Sequence, residues 1–164
     1  FNDYDQDQDQ YISKIVNAES GKINTIIDYP IYDTHSKYAL SINYDRLNIL
    51  SPDYGYRNKI KTSNVSDIEN DGIFLVDLEK NTSKLIVSIK SIIDLYYKDS
   101  MQEAKHWINH TTFSPDGNKI LFLHRWITKG KRYDSLMLYN ISKKSIECIV
   151  GDSMISHFCW IDNT

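Results

Sequence analysis

The chain has 164 residues, 41% of them hydrophobic and 25% charged, a globular balance with room for one ordinary core. A formal net charge of -3 with scattered basic residues provides no field to attract nucleic acid or an anionic membrane surface. No apolar run approaches the ~20 residues that span a bilayer, and no charged-then-apolar leader opens the chain, although the start at Phe1 rather than Met leaves room for a lost one.

Asp3, Asp5, Asp7 and Asp9 alternate like the ligands of a calcium loop. No Gly follows at the required place, and Lys14 stands where the closing Glu belongs, so a solvated hairpin tip is expected. Residues 11–17 and 22–27 then read as two strands joined by Ala18-Glu19-Ser20-Gly21. Four more strands are expected at 29–33, 37–44, 72–78 and 83–89, interrupted by a long excursion from 45 to 71. Residues 91–104 place Ile92, Ile93, Leu95, Tyr96 and Met101 on a broad apolar stripe, the mark of an amphipathic covering helix. Strands at 109–114, 119–126, 133–141 and 145–150 follow, and 156–161 reads as one more. Twelve Tyr and five Phe against six Gly suit half-buried strands with rings filling the space between layers.

The stretch from Asn109 to Leu123 is the most informative. A short strand meets Ser114-Pro115-Asp116-Gly117 and then a more apolar strand. Pro at the second turn position and Gly at the fourth make a type I turn, so the two strands are hairpin neighbours. Asp33 to Ile42 repeats this unit, with Tyr32 against Phe113. Ser156-His157-Phe158-Cys159-Trp160 repeats it again, with His157 against His110. Repeats of four antiparallel strands with one turn motif each suit the blades of a β-propeller. The expected fold is therefore all-β: a partial propeller of four-stranded antiparallel blades with one inserted amphipathic helix. Residues 1–164 form a single domain fragment, with about two complete blades near 29–89 and 109–150 and parts of two flanking blades. Standing alone, such an excerpt exposes strand edges and apolar faces.

Alternating strand direction places the start of each first strand and the end of each second strand on one face. Both long insertions fall there too, and function in repeat folds concentrates where insertions do. That face collects His110 and His157 at matching positions, His106 four residues before His110, His124-Arg125 at the end of a second strand, and Arg46 one repeat earlier. Converging imidazoles can bind a transition metal or supply a general base, and Arg clamps carboxylates. An acidic sugar is the implied ligand. The plainer alternatives are an inward His that only bonds backbone groups, and His124-Arg125 tying two blades together. Tyr54-Gly55-Tyr56 with Arg57 can stack on a sugar ring or simply pin its own loop.

Cys148 and Cys159 fall in expected neighbouring strands and read as buried thiols or as a bridge. Free thiols and the missing leader point to the cytoplasm. The sequons at Asn64 and Asn81 fit an Asn-rich composition. No Gly-x-Ser-x-Gly, phosphate loop or Cys-x-x-Cys occurs, which disfavours hydrolase-elbow, nucleotide and thiol-redox chemistry.

Phe113-Ser114-Pro115-Asp116-Gly117-Asn118-Lys119-Ile120 resembles the WD40-like repeat of bacterial TolB-type propellers. Tyr38 to Leu47, Tyr54-Gly55-Tyr56 and His106-Trp107-Ile108-Asn109-His110 resemble bacterial propeller proteins related to oligogalacturonate lyase, a likeness spanning most of the chain. The resemblance implies polysaccharide metabolism, a seven-bladed propeller, a divalent metal such as manganese held mainly by histidines, and β-elimination of short uronate chains by a His base with Arg support. The resemblance matches only His110 and His157, and those only to channel-facing positions; on the chemistry of the residues themselves, His110 and Arg125 are the catalytic candidates. Arg46, Tyr54, Tyr56, Arg57 and His124 become substrate-binding candidates, and His106, His110 and His157 metal candidates. The dense lyase histidine cluster is not visible. A non-catalytic propeller module binding a glycan or a protein partner is the alternative.

Overall fold

The computed structural model describes residues 1–56, 65–151 and 153–163. The chain is mostly β, arranged as antiparallel sheets of three and four strands. The first sheet holds β1 (Asn2–Asp5), β2 (Gln10–Val16) and β3 (Ile23–Ile27). The second holds β4 (Asp33–His35), β5 (Tyr38–Ile42), β6 (Gly72–Asp77) and β7 (Thr82–Ser88). The third holds β8 (Lys105–Phe113), β9 (Lys119–Thr128), β10 (Lys131–Asn140) and β11 (Ser145–Val150). Every sheet is a meander in which consecutive strands are neighbours. Among the described residues the sheets form no closed ring.

The turn chemistry behaves as the residue types dictate. Gly117 takes φ +72°, and its N–H donates to the Ser114 carbonyl at 2.8 Å, closing the hairpin that sets Phe113 opposite Ile120. At the acidic tip, the Asp5 carboxylate accepts from the N–H groups of Asp7 and Gln8, an Asx turn between β1 and β2. Strand β1 itself is an addition to the two strands expected there.

Three other expectations change. The covering helix α2 runs only over Ile89–Tyr96. Ser88 caps it by accepting from the Ser91 N–H at 3.0 Å, and Asp99–Met101 forms a separate 3-10 turn before β8 begins at Lys105. Residues 97–98 and 102–104, expected as helix, lie outside both. Ile92 and Met101 are buried as the stripe requires, whereas Leu95 is 60% exposed. In the 45–71 excursion a second helix, α1 (Tyr44–Leu50), appears under an Asn43 cap that accepts from the Arg46 N–H. Asn is a preferred cap, but the alternation of β5 masked it. Residues 156–161, expected as a further strand, form none.

One large core joins the sheets. Leu40, Ile73 and Val87 of the second sheet meet Trp107, Phe122 and Met137 of the third, with Leu47 of α1 and Ile89 and Ile92 of α2 closing the layer. Full burial of such side chains stabilises by about 1.5–3 kcal/mol each. Two polar bonds fix the approach of β4 to β8: Phe113 N–H donates to Asp33 Oδ2 at 2.7 Å, and His110 N–H donates to Tyr32 Oη at 3.1 Å.

Candidate functional site

The site begins with a break in the ladder. Strands β8 and β9 run in register from Lys105↔Ile127 to Asn109↔Leu123, then resume at Thr112↔Leu121. His110 sits inside this bulge with φ +53°, a left-handed conformation uncommon outside Gly, though His is among the more tolerant types. A bulge re-aims side chains. Without it, His110 would share the face of His106 and Ile108. Instead its ring lies 5.9 Å from that of His157 and 5.2 Å from that of Tyr54, both edge to face, with Phe158 at 6.5 Å.

Arg125 approaches the same place from β9. It is paired with Trp107, whereas His124 is paired with Ile108, so these two sequence neighbours point to opposite faces of the sheet. The Arg125 guanidinium carbon lies 5.9 Å from the Tyr54 ring. Its Nη2 donates to the Ile155 carbonyl at 3.0 Å, which anchors the segment carrying His157. Arg125 Nε lies 3.0 Å from Asp134 Oδ1, and both side chains are 2% exposed. The charges are close but poorly aligned, leaving Arg125 Nε, Arg125 Nη1 and Asp134 Oδ1 buried without a hydrogen-bond partner among the described residues. Burial, reinforced by the Arg125 charge and by His157, lowers the His110 pKa. The ring is neutral near pH 7, with its buried Nδ1 unpartnered.

The other expected site residues go elsewhere. His106 and His124 stack on the opposite face, Nδ1 of one 3.0 Å from Nε2 of the other, flanked by Trp126. Burial holds the His106 pKa down at about 4 and pushes that of His124 well below the usual imidazole value. Arg46, 2% exposed, spends its donors internally: Nε on Asp71 at 2.5 Å, Nη1 on the carbonyls of Val65 and His106, and Nη2 on that of Asp67. It closes the long excursion from within. Tyr56 packs among Tyr11 and Tyr44 and takes a hydrogen bond from Asn2 at 2.8 Å. A Cβ on Gly55, between the two tyrosines, would lie 2.6 Å from the Asn48 backbone. Arg57 lies outside the described residues.

The three metal candidates therefore separate: His110 meets His157 on one face, while His106 pairs with His124 on the other. Among the described residues no group of three or more His, Cys, Asp or Glu side chains could hold a metal ion. The donors present do not fit manganese: His110 and His157 offer two nitrogens, and His106 and His124 bond to each other. Both cysteines are free, Cys148 half-buried and Cys159 exposed. No helix is long and apolar enough to cross a membrane. What the structure does gather is His110, His157, Arg125 and Tyr54, together with Tyr32 and Phe158, which sequence reasoning had not singled out. The pairing of Tyr32 with Phe113 by repeat alignment was the available signal for the former.

No family model, curated protein or solved structure matches the chain.

Proposed function

We propose that this chain is part of a β-propeller protein of polysaccharide metabolism, and that the His110–His157–Arg125–Tyr54 cluster binds an acidic, uronate-type oligosaccharide. Sequential four-stranded meanders whose first strands, β4 and β8, are bonded to one another support the blade reading. So does the meeting of His110 and His157, two residues that the sequence alignment of the repeats sets against each other.

The observation that carries the binding reading is the buried Arg125 with an unpartnered Nη1 beside two imidazoles and a 41% exposed tyrosine ring. A guanidinium donor left unmatched in a dry setting favours an anionic acceptor. An exposed aromatic face next to it suits the apolar side of a sugar ring. Binding is the primary reading. The second is β-elimination, favoured by the neutral His110 ring with its free Nδ1. That nitrogen would take the proton α to the uronate carboxylate while Arg125 steadies the charge that develops on the carboxylate. The electron pair so released would form a C=C bond as the β C–O bond breaks, and the departing sugar oxygen would take a proton from water, leaving an unsaturated uronate.

Calorimetric titration of the full chain tests both. Galacturonate is expected to bind and glucose is not, and His157→Ala, an exposed change, should weaken galacturonate at least tenfold. Equal binding of the two sugars, or wild-type affinity in the variant, overturns the site. Release of ultraviolet-absorbing unsaturated uronate that His110→Asn abolishes would make it a lyase. Silence in that assay with binding intact leaves a glycan-binding module.

A further inference from the structure

One side chain outside the His110 cluster is bonded toward two of its members. Asn2, on β1, commits both ends of its amide. Its Oδ1 accepts from the Ser13 hydroxyl at 2.6 Å and from the Ile31 N–H at 2.8 Å. Its Nδ2 donates to the Ile31 carbonyl and to Tyr56 Oη, both at 2.8 Å. The Ile31 N–H can only donate and the Ile31 carbonyl can only accept, so the amide has a single orientation. With all four bonds made, Asn2 is a rigid joint between the first sheet and the chain that enters β4.

Both arms of that joint lead to the cluster. Along one, Asn2 holds the Tyr56 hydroxyl while the Tyr56 ring packs 5.4 Å from that of Tyr11 and 5.0 Å from that of Tyr44. Only Gly55 separates Tyr56 from Tyr54, so fixing one confines the other to a reach of about 7 Å. Gly55 is itself seated against Asn48 of α1. The Tyr54 ring, 41% exposed, meets His110 at 5.2 Å and the Arg125 guanidinium at 5.9 Å. A ring this exposed has few packing contacts, so the backbone that carries it decides where it stands. Along the other arm, Ile31 adjoins Tyr32, whose hydroxyl accepts from the His110 N–H inside the bulge. We infer that Asn2 is a positioning residue: docking of the first sheet through Asn2 and Tyr56 sets the Tyr54 ring against His110 and Arg125, so that ligand binding at the cluster is coupled to that docking. Linkage makes the coupling reciprocal. Its binding test rests on the proposed uronate site.

Two readouts on the full chain test this, the first without ligand. In proton NMR the His110 imidazole signals, assigned by their loss in His110→Asn, carry a ring-current shift from Tyr54 that Tyr54→Leu removes. Tyr56→Phe, which keeps the ring and deletes the hydroxyl, is expected to move those signals toward their Tyr54→Leu position. Asn2→Ala should move them further, because it releases Ile31 as well. In calorimetry, Tyr56→Phe should weaken galacturonate about fivefold in the wild-type background and leave it unchanged in a Tyr54→Leu background. Equal weakening in both backgrounds would make Tyr56 merely structural and overturn the inference, as would His110 signals that stay in place in Tyr56→Phe and Asn2→Ala. If Asn2→Ala fails to fold, Tyr56→Phe carries both readouts. Failure of galacturonate to bind the wild-type chain sinks the uronate site, and the His110 signals still decide the positioning.

Discussion

At residue scale, the decisive side chain is His110, and its backbone matters as much as its ring. A left-handed φ costs a residue with a Cβ roughly 1 kcal/mol, and outliers of this kind cluster where function constrains geometry. Asn tolerates the same conformation. His110→Asn is therefore expected to melt within a few degrees of wild type while losing at least tenfold in galacturonate affinity. A large drop in stability with ligand binding intact would assign the bulge a purely architectural role. Arg46 is the converse case. Its guanidinium is buried and committed to Asp71 and three carbonyls, so Arg46→Ala strands the Asp71 charge and should cost about 3–5 kcal/mol in chemical denaturation. Any effect on galacturonate binding should come only through that instability.

Elements transmit these local choices to one another. The Ser114–Gly117 turn joining β8 to β9 packs against the end of β4, where a Cβ on Gly117 would lie 2.3 Å from the His35 ring. With φ +72° as well, Gly117→Ala combines a backbone penalty with a clash and should destabilise by about 2 kcal/mol or more. The same exchange at Gly130, where no atom lies within 4 Å of a Cβ, should cost only the backbone part. On the opposite face, the His106–His124 pair ties β8 to β9 beneath the 3-10 turn whose Ser100 hydroxyl accepts from Trp126 Nε1 at 3.1 Å. Here the folded state holds the His106 pKa at about 4, below the usual imidazole value, because burial disfavours the cation. As pH falls below ~6.5 the unfolded chain takes up protons that the folded chain refuses, so stability is full above that point and declines toward pH 4. His106 alone should remove about 2–3 kcal/mol by pH 4.5. Melting curves from pH 7 to 4.5 check this, and a flat profile would mean that the pair stays hydrated or shares its proton differently.

On the scale of the whole molecule, three meanders share one core, yet the outermost strands are left uncovered. Ile23 and Ile26 on β3 are 53% and 48% exposed, and Ile149 on β11 is 50% exposed. Unprotected edges with apolar side chains invite pairing with other strands. Sedimentation at rising protein concentration is expected to show self-association, reduced by Ile26→Lys and Ile149→Lys without loss of melting temperature. A monomer at every concentration would show that these edges are protected by their twist or by the loops beside them.

Turn chemistry and period-two patterning are local, so β5 to β7, the third sheet and the Ser-Pro-Asp-Gly hairpin could be read directly from the residues, whereas the strand expected at 29–33 forms instead at Asp33–His35. Repeat alignment paired His110 with His157, and their rings do meet at 5.9 Å, although the segment carrying His157 forms no strand. Sequence spacing could not say on which side of a strand each polar group would emerge. One extra residue at the β8 bulge turned His110 toward Arg125 and away from His106. Pairing across the ladder put His124 and Arg125 on opposite faces, and Arg46 was absorbed by carbonyls contributed from distant segments. Local steric preferences are written in the order of residues, whereas the company a buried charge keeps depends on which strands meet and in what register, and only the folded chain decides that.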